Sequence, residues 1–351
     1  MDDTATTTVP REDREYYDSI SFWNYFAAVY RRLNARATGD PDAFWWQALQ
    51  RDGRHFTRGL ILNCGNGWVE RDLLRAGLVD EIVGIDISED LLAEARREAA
   101  AMGARAEYVR VDINVDPLPA GEFDLVVNYA AGHHIASLDR VMRQIASQMP
   151  EHGLFVNWDY IGPHRNQYTA RQWERAWDVN QSLPEPLRQQ MNYPDLDTML
   201  RHDPTEAVHS ELIVPTIARY FDITSFAPLG GAVAYLLLTH NLPFYSAPLD
   251  DVRDSIELVM DADEAFLQAA PEETLFAYFL ARPRQSEVPA DQLALWTREE
   301  TERERAAQAN GGEYYPRTLL SQIYRAADAV SLRQALSQRW PRVAAAYSRA
   351  R

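Results

Sequence analysis

One cysteine in 351 residues, Cys64, excludes an intrachain disulfide and any zinc site built from a cysteine cluster. No apolar run approaches the length of a bilayer span, and the first residues carry no basic flank followed by an apolar core. The expected location is therefore cytoplasmic. Basic residues are scarce, with Lys+Arg at 35 against Asp+Glu at 52 and a formal net charge of -17. A field of that sign repels polyphosphate and anionic lipid, so neither nucleic acid nor a membrane is expected as a partner. The dinucleotide fingerprint G-x-G-x-x-G is broken by Glu70 at its third glycine, and no Gly-Lys-Ser/Thr phosphate loop or H-E-x-x-H zinc motif occurs. The expectation is no metal.

What the chain does have is a regular succession of short apolar runs, within a composition that is 46% hydrophobic and sufficient for a large core with an accessory module. Leu60-Ile61-Leu62 leads into Asn63-Cys64-Gly65-Asn66-Gly67, a glycine-bearing turn, and then into a helix ending near Gly77. Further strands are expected at 81–86, 106–112, 123–129, 154–160 and 221–226, with amphipathic helical segments between the early ones. This is the pattern of a doubly wound α/β sheet, whose ligands sit outside the carboxyl ends of the strands. Asp86, Asp112 and Asp159 fall at or near such ends. Gly65 and Gly67 would let backbone approach a ligand, and Asp86 would accept hydrogen bonds from ribose hydroxyls. Without a pyrophosphate cradle, the turn suits a nucleoside carrying an amino-acid tail.

These motifs resemble the class I S-adenosylmethionine-dependent methyltransferases. The likeness lies in Asn63 to Gly67, in Gly84-Ile85-Asp86-Ile87-Ser88, in Val111-Asp112-Ile113 and in Phe123-Asp124-Leu125-Val126-Val127. More narrowly the chain is similar to a bacterial group found with sugar- and natural-product-modifying enzymes, through Cys64 to Glu70, Gly132-His133-His134-Ile135, Asp159 to Pro163 with Gln167, Asp203 to Val208 with Ser210, and Gly230-Gly231. The resemblance spans roughly residues 20–283. It implies an α/β, doubly wound, seven-stranded and mostly parallel sheet with an antiparallel last strand at 274–281. It also implies S-adenosyl-L-methionine as cofactor. Asp86 would hold the ribose, Asp112 with Ile113 the adenine, and Gly65, Asn66 and Gly67 would pass the methionine part; Asn63, Cys64, Ile87 and Asn128 complete the cofactor candidates. Asn63 stands where the family usually has glycine, and Ile61 where it often has an acid.

Helical elements are expected around the sheet: an aromatic-rich amino-terminal cap over 17–58, helices at 172–188, broken at Leu183-Pro184-Glu185-Pro186, and at 203–218, an insertion holding helices at 232–240 and 249–269, and a carboxyl-terminal extension over 284–351. Residues 1–16 read as a disordered start, 59–283 as the methyltransferase-like unit, and the terminal helices as a packed appendage or a homo-oligomer surface. The catalytic candidates are His134, favoured as general base, with His133, Asp159, Tyr160 and Glu206. Asp203 and Glu206 also read as an N-cap and its capping-box partner. The leading expectation is methyl transfer to a hydroxyl, or less readily an amine or activated carbon, of a small polar metabolite such as a sugar or natural-product intermediate. Two alternatives stand beside it: a cyclase or isomerase on the same fold that does not use the cofactor's methyl group, and a non-catalytic partner-binding subunit.

Overall fold

The computed structural model describes residues 22–202 and 205–284. The expected disordered start, the terminal helices beyond 284 with their oligomer surface, and Asp203 lie outside the described residues. Helices α1 (Ala27–Thr38) and α2 (Trp45–Arg51) precede β1 (Phe56–Leu62). The chain then runs α3 (Trp68–Arg75), β2 (Val79–Asp86), α4 (Glu89–Ala101), β3 (Ala106–Arg110), β4 (Leu125–Tyr129), α5 (Leu138–Gln148) and β5 (Leu154–Tyr160). After β5 come α6 (Ala170–Ser182), α7 (Leu196–His202), α8 (Ile213–Tyr220) and β6 (Phe221–Gly230), then α9 (Ala234–Leu238), α10 (Leu242–Ser246), α11 (Leu249–Ala269) and β7 (Phe276–Pro283).

The strands form one seven-stranded sheet in the order β3-β2-β1-β4-β5-β7-β6. The first five pair in parallel, and β7 runs antiparallel to both β5 and β6, as expected. Strand alternation divides the core between the two faces: Leu60 and Leu62 join Val126 and Phe155 beneath α5 and α8, while Ile61 joins Leu73, Leu92 and Val127 on the opposite face. Order reverses between β1 and β4, so the crevice that this topology offers a ligand opens at the carboxyl ends of those strands. No helix among the described residues is long and apolar enough to cross a membrane.

Two expected helices differ. The 203–218 segment has a turn at 205–208, a 3-10 turn at Ser210–Leu212, and only then α8. Ala207 has φ 48°, its carbonyl accepts from Arg165 N, and Val208 N donates to His133 O, so long-range partners take the peptide groups that a helix needs. The capping-box reading of Glu206 fails with it. The 232–240 helix shrinks to α9, ended by His240 at φ 58°.

The cap and the insertion are joined through one buried carboxylate. Asp263 of α11 accepts from the backbone N–H groups of Gly231, Val233 and Ala234, and lies 3.1 Å from the Arg36 guanidinium of α1. Arg36 also donates to Leu229 O and to Glu264. Gly230, at φ 80°, leaves room for this junction, since a Cβ there would stand 2.4 Å from Asp263 Oδ2 and 2.6 Å from Arg36 Nη1. Replacing Asp263 with Ala leaves the buried N–H groups of Gly231, Val233 and Ala234 without their side-chain acceptor, while Arg36, whose side chain is 10% exposed, keeps Glu264 as its only carboxylate at this junction. The expected loss of stability in urea unfolding is about 3–5 kcal/mol; a loss below about 1 kcal/mol would show that the junction does not hold cap to insertion.

Candidate functional site

The turn after β1 keeps its tight form despite Asn63. Asn63 sits at φ 44°, the left-handed region that asparagine tolerates, and its Nδ2 donates to Ala131 O at 3.2 Å. Cys64 N donates to Ile85 O and Gly65 N to Asp86 Oδ2, so the turn hangs from the end of β2. The two glycines have different reasons to be glycine. A Cβ on Gly65 would meet nothing within 4 Å, leaving its backbone open to a ligand. On Gly67 it would stand 2.5 Å from the Tyr108 hydroxyl and 2.9 Å from Ala95, so Gly67 serves close packing, a correction to its expected ligand approach.

Asp86 accepts from Gly65 N through one oxygen and from Ser88 N through the other, both at 2.8 Å, and each carboxylate oxygen retains a further lone pair. Ile87 is exposed at the strand tip, and Asp112 lies beyond the neighbouring β3 with Oδ1 on Asn114 N. Ile113 is buried in the core and its carbonyl accepts from Arg140, so its side chain is not a ligand surface.

A chamber of about 1310 Å³ opens against the turn. Asn63, Cys64, Gly65 and Asn66 form part of one wall; His133, His134, Asp159, Tyr160 and Glu206 form another. Aromatic side chains line the same chamber: Phe44 and Trp46 of the cap, Trp68 at the start of α3, and Tyr129 and Trp158 at the strand ends. These rings pack on one another, Trp68 with Tyr129 at 5.2 Å and Phe44 with Trp158 at 5.1 Å between centroids. Asp86, Ile87, Asp112 and Ile113 do not line this chamber but lie beside it at the tips of β2 and β3.

Asp159, at the end of β5 and 1% exposed, organises the second wall. It accepts from Asn128 Nδ2 at 2.9 Å, from His133 N at 3.2 Å and from Tyr160 N at 2.8 Å. His133 Nδ1 stands 2.6 Å from its Oδ1, and a carboxylate already receiving those N–H groups makes Nδ1 the donor. Asp159 thus backs His133 and not His134, the histidine favoured as general base. Asn128, expected at the cofactor, is fully buried and donates to Asn157 and Asp159 instead. Gly132 lets the loop close, because a Cβ there would meet Asn128 Nδ2 at 2.6 Å and Asp159 Oδ2 at 2.8 Å. Tyr160 donates its hydroxyl to Pro163 O, and burial holds its pKa well above the ordinary value, so the phenol orients no base.

His134 places Nδ1 against Thr205 O at 3.0 Å, an acceptor that fixes the proton on that nitrogen. Burial, then the adjacent His133, lowers its pKa and favours neutral imidazole. Glu206 completes the cluster, with Oε2 at 3.6 Å from His133 Nε2 and 4.0 Å from His134 Nε2. Arg165, 1% exposed, holds that turn through Nη1 to Glu206 O and N to Ala207 O. Arg165 and Asn166 are both left-handed, at φ 52° and 53°, a conformation costly for non-glycine residues and found at shaped sites. The positioning roles of Asn128, Gly132, Asn157 and Arg165 have no spacing signal in the sequence. Every residue in the Lys+Arg total of 35 is arginine, so no lysine base or Schiff base competes with the imidazoles and carboxylates.

Residues 60–153 match the family described as Methyltransferase domain. The chain is 31% identical over 137 residues to malonyl-(acyl-carrier protein) O-methyltransferase of Enterobacter lignolyticus (strain SCF1), covering 34% of this chain and 51% of that protein. It is 30% identical over 163 residues to ubiquinone biosynthesis O-methyltransferase of Sinorhizobium medicae (strain WSM419), covering 44% and 65%. The chain thus spans between half and two thirds of the length of these relatives. A solved S-adenosylmethionine dependent methyltransferase from Mesorhizobium loti is similar at 19% identity and a TM-score of 0.42, covering 69% of this chain and 98% of that one.

Beneath the turn lies a carboxyl group with a measurable consequence. Glu70 is fully buried, its oxygens have no hydrogen-bond partner among the described residues, and Gly84 makes space for it. Burial pushes its pKa up to about 7 from 4.5. The folded state then holds a proton that the unfolded chain releases as pH rises past 4.5, so stability falls between about pH 4.5 and 7 and levels off above. The full drop is roughly 3 kcal/mol at 1.36 kcal/mol per unit. Buried His164, its pKa lowered to about 3, works in the opposite direction up to about pH 6.5 in both proteins, so the Glu70 contribution is read as a difference: between pH 5 and pH 8 wild type should lose more unfolding free energy, or gain less, than Glu70→Gln. Parallel pH profiles would reject a buried, protonated Glu70.

Proposed function

We propose that the chain, whose residues 60–153 match the methyltransferase-domain family, is a class I S-adenosylmethionine-dependent methyltransferase that transfers a methyl group from S-adenosyl-L-methionine to a hydroxyl of a sugar-like or natural-product metabolite. The observation that carries this reading is a single chamber with the open Gly65 turn on one wall and the His133, His134 and Glu206 cluster on another. Bound at the turn, S-adenosyl-L-methionine supplies a methyl group on a sulfonium, an electrophile at carbon. Asp86 would hold the ribose hydroxyls through its remaining lone pairs, Ile87 and Asp112 would flank the adenine, and Gly65 with Asn66 would lie along the methionine part.

The protein's work is alignment and proton removal. The imidazole and carboxylate wall would accept the proton that the hydroxyl must lose as its oxygen takes the methyl group, the products being S-adenosylhomocysteine and the methyl ether. The aromatic side chains of Phe44, Trp46, Trp68, Tyr129 and Trp158 hold an acceptor by its apolar or planar faces and keep water out. A chamber of about 1310 Å³ suits an acceptor larger than one sugar ring. Both named relatives are O-methyltransferases, which supports oxygen as the acceptor atom.

The direct test is calorimetric titration with S-adenosyl-L-methionine, followed by mass analysis for S-adenosylhomocysteine after incubation with hydroxylated acceptors. Binding without transfer to any acceptor would favour the non-methylating cyclase or isomerase; no binding would favour a non-catalytic subunit. Asp86→Ala should weaken cofactor binding tenfold or more, roughly 1.5–3 kcal/mol, in a chain whose thermal unfolding confirms that it is folded. Unchanged affinity would remove Asp86 from the ribose site.

His133→Gln and His134→Gln separate the two walls. Either substitution should lower turnover by about 100-fold to 10,000-fold while cofactor affinity stays within about twofold. Wild-type turnover in both variants would place proton removal elsewhere, and a parallel loss of cofactor affinity would show that the walls are not independent.

A further inference from the structure

We infer that His133 Nε2, His134 Nε2 and Glu206 Oε2 form a binding site for one divalent transition-metal ion facing the chamber. The three atoms lie within 4.8 Å of one another, the closest Glu206 separations being 3.6 and 4.0 Å. Ligand atoms about 2.1 Å from a tetrahedral ion stand about 3.4 Å apart. The Glu206–His133 separation is already close to that spacing, and side-chain rotation of about an ångström or less at His134 and Glu206 would close the cluster around an ion.

The hydrogen bonds behind the cluster have the form that such a site requires. His133 donates Nδ1–H to Asp159 at 2.6 Å and His134 donates Nδ1–H to Thr205 O at 3.0 Å. A metal-ligating histidine characteristically gives its other ring N–H to a carboxylate or a backbone carbonyl, which fixes the tautomer and raises ligand basicity. With Nδ1 of each ring turned to its oxygen partner, Nε2 of each ring faces the Glu206 carboxylate. A metal ion would take the place of any proton on these nitrogens and be held by all three side chains. Arg165, which holds the Glu206 turn in a left-handed conformation next to this cluster, keeps the third ligand within reach.

Two imidazoles and one carboxylate select a zinc- or iron-like ion over magnesium, which favours an all-oxygen shell. Three protein ligands leave a coordination position toward the chamber, where an acceptor oxygen would bind and lose its proton more readily. Binding of the ion rests on the cluster alone; its part in turnover rests on the methyl transfer proposed above.

The experiment uses the full chain, stripped with a chelator and dialysed, and titrated with Zn²⁺, Co²⁺ and Mg²⁺ in the absence of cofactor and acceptor. One Zn²⁺ or Co²⁺ per chain is expected, with Co²⁺ giving the visible absorption of a four- or five-coordinate nitrogen–oxygen site and Mg²⁺ failing to compete. His134→Ala and Glu206→Gln should each weaken Zn²⁺ at least 100-fold. Asp159→Asn, acting through His133, should weaken it about 10-fold to 100-fold. His152→Gln, at an exposed position away from the chamber, should bind as wild type. No stoichiometric ion in folded wild type, or an affinity indifferent to the Glu206 and His134 substitutions, overturns the site. Because no step of this titration involves S-adenosyl-L-methionine, loss of cofactor binding or of methyl transfer would count against the proposed reaction and leave the metal result standing.

Discussion

The carboxylate of Asp159 is the constraint on which the rest of the site depends. It is buried, and a buried charge is tolerated only when donors surround it. Those donors come from three places: Asn128 on β4, the backbone and ring of His133 in the loop after β4, and the backbone of Tyr160 on its own strand. Satisfying one charge therefore fixes the spacing of two strand ends, the shape of the Gly132-His133-His134 loop and the tautomer of His133. Gly132 and Asn128 answer to the same demand, one by having no side chain and the other by having an amide that reaches two acceptors.

The sheet was legible because its strands are apolar, short and regularly spaced, and because a parallel strand buried on both faces leaves a run with few alternatives. The acidic residue at the end of β2 was legible for a related reason: strand polarity places it at the ligand edge wherever the details of the turn fall. Less legible were contacts made by residues remote in sequence. Glu206 read as part of a helix start because Asp203 to Glu206 has the local pattern of a capping box, yet Arg165 and His133 take the peptide groups around it and fold it into a turn. Gly65 and Gly67 look alike in sequence and differ in what faces them, open chamber for one and the Tyr108 ring for the other. Tyr160 follows a catalytic candidate directly and still spends its hydroxyl on a backbone carbonyl.

The aromatic cap and the inserted helices are distant in the chain but act as one wall. Arg36 and Asp263 tie α1 to α11 and to the backbone entering α9, while the rings of Phe26 and Tyr245 meet at 4.6 Å on the same seam. A chamber of this size needs such bracing, because its lining side chains pack against a space rather than against a filled core. The ion pair is shielded from solvent at the carboxylate end, so salt screens it less than it screens the pairs on the exposed helices.

Asn63 joins the two halves of the site. A glycine at this position would supply the left-handed turn and nothing more. Asparagine supplies the same turn at φ 44° and adds a hydrogen bond to Ala131 O, in the segment that leads directly into Gly132 and the histidine pair. The shape of the glycine-bearing turn and the placement of the imidazole loop are thereby coupled through one side chain. The bond is worth about 1 kcal/mol net, comparable to the left-handed cost of a non-glycine residue, so the exchange of glycine for asparagine is close to neutral in stability. Its effect is geometric: Asn63 ties the glycine-bearing turn to the loop that carries His133 and His134, two segments that line the same chamber.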